Sequence, residues 1–201
     1  MRTDAPVALA ALALCCGAPC AAAAGPLGID MGAPLARFAH EATATVGLYR
    51  ISPPAPPERP FETVLVVATR DEGVCAVIMV TPRRSFDGGG AGAKAIFAHT
   101  ERVLSHEYGT AIRRDRLAPA SVLKEPSDYA AALAAGQREL RADWGTLATP
   151  VISGEVAAVR LEARAPDADT TYVRLTYQFR NYDRCRATID AVAQARRLLG
   201  R

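Results

Sequence analysis

Lysine is nearly missing from this chain of 201 residues: Lys94 and Lys124 are the only two, and arginine supplies the rest of the basic charge behind a formal net of +3. No basic run is long enough to track a phosphate backbone, so no nucleic-acid partner is expected. Histidine is equally scarce, limited to His40, His99 and His106. His99 and His106 lie seven apart on a helical pattern, about 10 Å along its axis, too far to share a metal ion. There is no HExxH and no clustered Cys/His spacing, so neither a metal nor a cofactor is expected. GxSxG is absent too, and Ser153 in VISGE has no nucleophile-elbow pattern around it.

The glycine run FDGGGAGAKA, residues 86–95, falls short of both nucleotide motifs it suggests. A phosphate loop needs Gly before its Lys and Ser or Thr after it, where this chain has Ala93 and Ala95. A dinucleotide loop needs a third Gly at a spacing not found here. A loop feeding a helix is the expectation.

What is present is the balance of one globular domain: half the residues are hydrophobic, 22% are charged and one is Trp. Its N-terminus is different in kind. From Ala5 to Ala24 no residue carries a charge, Arg2 precedes that stretch, and AAAAG ends it. A positive start, an apolar run and a small-residue cleavage site make a secretory signal, with cleavage after Ala24. Residues 1–24 are therefore expected to be a signal peptide and residues 25–201 a single domain. Two rivals remain: an uncleaved membrane anchor over residues 5–24, and lipidation at Cys15, Cys16 or Cys20, where Leu14, Cys15 and Pro19 make poor preceding residues. Only in those cases is contact with a membrane expected. Cleavage removes three of the five cysteines and leaves Cys75 and Cys185 in an oxidising compartment, where two thiols have one intramolecular pairing. A disulfide between them is expected.

Along the domain, GPLGIDMGAPLARFAHEA predicts a short extended piece and a small helix over 33–42, and TATVGLYRI a strand. Five prolines between Pro53 and Pro60 then read as a stiff connection between strands. TVLVVATR and VCAVIMV are apolar, β-branched runs joined at Gly73, the pattern of a hairpin at the centre of a sheet. A helix is predicted over 91–108 with Gly109 at its C-cap, and another from Asp128 to Trp144 after Ser127. VAAVRLEA and TYVRLTYQF alternate as a second hairpin, with Asp167 and Asp169 in its turn, and a terminal helix follows Asn181. The sum is an α+β fold: an antiparallel β-sheet of about five strands with two to three helices packed on one face. On the side of the second hairpin opposite its apolar row, Arg160, Arg164, Arg174 and Arg180 form a candidate anion-binding face.

A Gly-xxx-Gly strand behind a signal, a hairpin carrying GVC, a helix closing in EYG, a Trp-ended helix and a late strand followed by NYDRC resemble small exported, uncharacterised proteins of Gram-negative bacteria. The resemblance implies a periplasmic location and brings no catalytic residue. Taken together, these features lead us to expect a non-enzymatic binding domain for an envelope protein or an anionic envelope component. An envelope hydrolase with a site of scattered residues, or a thiol-dependent redox protein using Cys75 and Cys185, are the alternatives.

Overall fold

The computed structural model describes residues 25–145 and 154–198. Cys15, Cys16, Cys20 and Ser153 lie outside the described residues. The elements follow in the order β1 His40–Ala42, β2 Leu48–Ile51, β3 Thr63–Thr69, β4 Gly73–Val80, α1 Ala91–Tyr108, β5 Ile112–Leu117, α2 Tyr129–Ala134, β6 Arg138–Trp144, β7 Val156–Arg164, β8 Tyr172–Phe179 and α3 Tyr182–Leu198. All eight strands belong to one antiparallel sheet in the order β1-β2-β3-β4-β8-β7-β6-β5. The architecture is α+β, as expected, with eight strands rather than about five. Each half is a four-strand meander followed by a helix, and the halves join where β4 pairs with β8.

The two apolar hairpins form where their sequence places them. Gly73 opens β4 at φ +63°, with the position of a Cβ only 2.2 Å from the carbonyl oxygen of Gly32. The proline run connects β2 to β3, and α1 occupies 91–108 with Gly109 at its C-cap.

The helix expected over 128–144 is corrected. α2 ends at Ala134, Gly136 turns the chain at φ +67°, and RELRADW continues as β6. Leu140, Ala142 and Trp144 alternate inward there and are buried, while Arg141 and Asp143 face Glu162 and Arg160 across the ladder. Trp144 also donates its indole N–H to the carbonyl of Gly109 at 2.9 Å. Cross-strand partners thus override the helical propensity of the alanine-rich stretch. The small helix expected over 33–42 is a single 3-10 turn, Leu35–Arg37, followed by extended, buried Phe38 and strand β1. β1 and β5 carry exposed side chains and no apolar alternation, so nothing in their sequence announces a strand.

The helices are not confined to one face. Strand register puts Val64, Val66, Val77, Met79, Leu175 and Tyr177 on one side of the sheet, where Tyr108 of α1 meets Tyr177 edge-on with ring centroids 6.5 Å apart. Thr63, Leu65, Val67 and Thr69 alternate to the other side. There the Thr69 hydroxyl lies 3.7 Å from the sulfur of Cys185 in α3. α1 therefore covers the β7–β8 half of one face, and α3 the β3–β4 half of the opposite face.

Cys75 and Cys185 are disulfide-bonded, with Cα atoms 6.4 Å apart and 110 residues between them in sequence. A register shift makes the bond geometrically available. Val67 pairs with Ala76 and Ala68 with Val74, so Cys75 is an extra residue in β4. Such a bulge re-aims a side chain, and Cys75 turns toward α3 instead of following Val77 and Met79. Both cysteines are wholly buried. Asn181 strengthens the same junction by donating its amide to the carbonyls of Glu72 at 2.9 Å and Val74 at 3.3 Å.

Candidate functional site

Two surfaces present chemistry. The first is the outer face of β5 to β8, which α3 leaves open. Pairing across β5, β6, β7 and β8 brings together Arg114 with Arg141, Arg116 with Glu139, Asp143 with Arg160, and Glu162 with both Arg141 and Arg174. Alternation adds Arg164 beside Glu162. Asp143 accepts from the Nε atoms of Arg141 at 2.6 Å and Arg160 at 2.7 Å, with Arg114 at 3.7 Å. Glu162 accepts from Arg174 at 2.6 Å and Arg164 at 2.9 Å.

The order of depth matters more than the count. The side chains of Asp143 and Glu162 are 5% and 9% exposed, while those of Arg114, Arg160, Arg164 and Arg174 are between 33% and 47% exposed. At these two centres the carboxylates lie underneath and the guanidinium groups on top. Burial works against the charge of Arg160, but the hydrogen bond and charge of Asp143, with help from Glu162, outweigh it and raise its pKa above the ordinary value. Six arginines against the carboxylates of Glu139, Asp143 and Glu162 leave three positive charges in excess.

Of the expected face residues, Arg160, Arg164 and Arg174 are brought together. Arg180 is exposed one position beyond β8 and takes no part in the network among the described residues. Arg114, Arg116 and Arg141 are not legible as members, because β5 carries no strand pattern and β6 follows an alanine-rich stretch whose propensity is helical. The available signal is the spacing by two of charged residues, Arg114 and Arg116 in IRRDRL and Glu139, Arg141 and Asp143 in RELRADW, which places each set on one strand face.

The second surface is a cleft of about 380 Å³ on the opposite side of the sheet. Met79, Leu175 and Val156 form its floor, Val103 and Leu104 of α1 one wall, and Leu27 and Phe61 the other. Glu58, Arg59, His99, Glu107 and Glu155 stand around the rim. Its volume lies in the range of ligand sites. Burial, chiefly, raises the phenol pKa values of Tyr108 and Tyr177 far above the ordinary value; Glu107 reinforces both shifts. Both therefore stay protonated and can act only as neutral hydrogen-bonding groups near neutral pH.

His99 lines the cleft, and among the described residues no group of three or more His, Cys, Asp or Glu side chains could hold a metal ion. The glycine run serves the fold. Asp87 accepts from the backbone N–H groups of Gly92 and Ala93 at 3.0 and 3.2 Å and so caps α1. Asp169 donates its N–H to Asp167 at 3.0 Å, the local bond expected in that turn. Among the described residues no helix is long and apolar enough to cross a membrane. The fold and the arginine layer define an α+β protein with one open, cationic sheet face. No family model, curated protein or solved structure matches the chain.

Proposed function

We propose that this chain is an exported, non-enzymatic binding domain of the bacterial envelope, and that its arginine-layered face docks an anionic envelope component. One observation carries the reading: Asp143 and Glu162 are buried beneath Arg114, Arg160, Arg164 and Arg174, so the groups offered to a partner there are guanidinium forks. Such forks suit bidentate carboxylate and phosphate recognition, and their low hydration favours contact over solvation. A disulfide is compatible with export to the periplasm, and it favours a binding role over thiol chemistry, because redox exchange needs an accessible thiolate and both sulfurs are buried.

The test uses vesicles of an anionic phospholipid, vesicles of a zwitterionic one, and soluble polyglutamate as probes. The variant R114Q/R116Q/R164Q removes the three excess charges and leaves Arg141, Arg160 and Arg174 to hold the three carboxylates. Binding to either anionic probe that falls steeply with salt and vanishes in the variant supports the reading. Absence of binding at low salt, or binding unchanged in the variant, overturns it. The mass of protein recovered from the periplasm, beginning at Gly25, tests the export step separately.

A further inference from the structure

We propose that cleavage after Ala24 turns the Gly25 nitrogen into an α-ammonium that pairs with the Asp30 carboxylate and locks the mature N-terminus onto the fold. The cleavage itself rests on the export reading above. Hydrolysis adds one water across the Ala24–Gly25 bond. The water oxygen goes to the Ala24 carboxylate, and its two hydrogens join the one already on the Gly25 nitrogen. An α-amino group has an ordinary pKa of about 7.7–8.0, so it is mostly protonated at neutral pH. The receiving geometry is in place: the Gly25 nitrogen lies 3.4 Å from Oδ1 of Asp30, in a partly buried contact. That is the long end of a hydrogen bond. An amide offers one N–H in a fixed direction, whereas an ammonium has three donors that rotate about the Cα–N bond. Charge-assisted bonds of this kind draw in to about 2.7–2.9 Å.

The first residues of a domain are poorly ordered unless they are tied down, and Gly25 is tied down. Its carbonyl accepts from the N–H of Gly28 at 3.0 Å. A Cβ at this position would stand 1.9 Å from the carbonyl oxygen of Ile29 and 3.4 Å from Cζ of buried Phe179. Its φ is −61°, so the restriction is one of space rather than backbone conformation. Three distant parts of the chain hold the segment that carries Asp30. Ala55 donates its N–H to the carbonyl of Leu27 at 3.2 Å, Met31 donates to Glu155 at 2.8 Å, and Gly32 donates to the carbonyl of Val74 at 2.8 Å. The residue that the sequence places first in the mature chain is thus one that the packing holds beside a carboxylate. Gly25 also lines the α1 cleft, together with His99. Among the described residues there, the carboxylates of Glu58, Glu107 and Glu155 outnumber the guanidinium of Arg59, a field that favours a cation further.

An opposite charge at hydrogen-bond distance raises the amine's folded-state pKa. Its contribution to stability is then fully present below the unfolded value of about 7.7–8.0 and is lost as pH rises through the folded one. Urea denaturation between about pH 6 and about pH 10 tests this on residues 25–201 with a free amine, with an acetylated amine, and with Asp30→Asn in both forms. Acetylation restores the amide N–H and removes only the charge, so every other titrating group is common to the two forms. Below about pH 7 the free form is expected to have an unfolding constant about tenfold lower than the acetylated one, the equivalent of a pKa raised by about one unit. The gap should close toward about pH 10 and be absent in Asp30→Asn. No gap, or one that does not change with pH, overturns the proposal. A gap that survives Asp30→Asn overturns it as well, since the ammonium would then pair with a carboxylate of the cleft. Nitrogen-15 titration of the Gly25 amine in the folded wild type reads the pair without any variant, and an ordinary pKa there overturns it. Periplasmic protein whose mass begins elsewhere overturns the cleavage, and the proposal with it, even where the Gly25 chains show the pair. An ordinary amine in those chains overturns the pair and leaves the export reading standing.

Discussion

The hydroxyl of Thr171 donates to the carboxylate of Asp87, joining the end of the β7–β8 turn to the loop that starts α1. The same carboxylate caps the helix through Gly92 and Ala93. Partial burial works against its charge, but Thr171, the two backbone amides and nearby Arg84 outweigh that penalty and hold its pKa below the ordinary value. The sign follows from linkage. A group with a lowered folded-state pKa contributes stability that is fully present above its unfolded pKa of about 3.9 and is lost as pH falls through the folded value. Urea midpoints of the wild type and Asp87→Asn are expected to differ near neutral pH and to converge below about pH 4. A gap that persists unchanged in acid would remove the carboxylate from this role.

Breaking the disulfide is expected to cost up to about 4.7 kcal/mol in the chain-entropy model for a loop of this size. Cys75→Ala/Cys185→Ala should therefore lower the urea midpoint with little change in far-ultraviolet circular dichroism. Because both sulfurs are buried, mild reductant should leave them unlabelled by a thiol reagent under native conditions and expose both on unfolding. Intact mass after alkylation reads this out.

Asp143→Ala withdraws the shared partner of Arg114, Arg141 and Arg160. Losing one member of a fully buried pair costs about 3–5 kcal/mol. Here the arginines are partly exposed, so a loss of about 2 kcal/mol is expected. Asp143→Asn keeps one acceptor and should lose less. Equilibrium denaturation of the two variants gives the comparison.

Gly90→Ala should be among the costliest single methyl additions. Gly90 is at φ +68°, and a Cβ there would stand 2.0 Å from Cδ1 of Tyr129. That ring cannot retreat easily. It lies beneath the Lys94 ammonium, 3.9 Å from its centroid, and burial raises its phenol pKa to about 12. A loss of more than about 2 kcal/mol is expected, combining backbone strain with displaced packing. Gly136→Ala tests strain alone, since no atom lies within 4 Å of its added Cβ, and should cost about 1 kcal/mol.

Sequence by itself determined the elements whose side-chain pattern is local. The apolar runs around Gly73, the alternation from Val156 to Phe179 and the amphipathic stretch closed by Gly109 each carry their own periodicity, and each forms at its expected place. The disulfide expected between Cys75 and Cys185 also forms. Tertiary structure alone decided the rest, because the deciding partners are distant in the chain. RELRADW is a strand on account of Glu162 and Arg160, about twenty residues away, and IRRDRL is a strand on account of RELRADW. The register shift in β4 sent Cys75 to α3, and with it α3 to the face opposite α1. The arginine layer follows from the same pairing: only the cross-strand register sets which carboxylates lie beneath and which guanidinium groups remain outside.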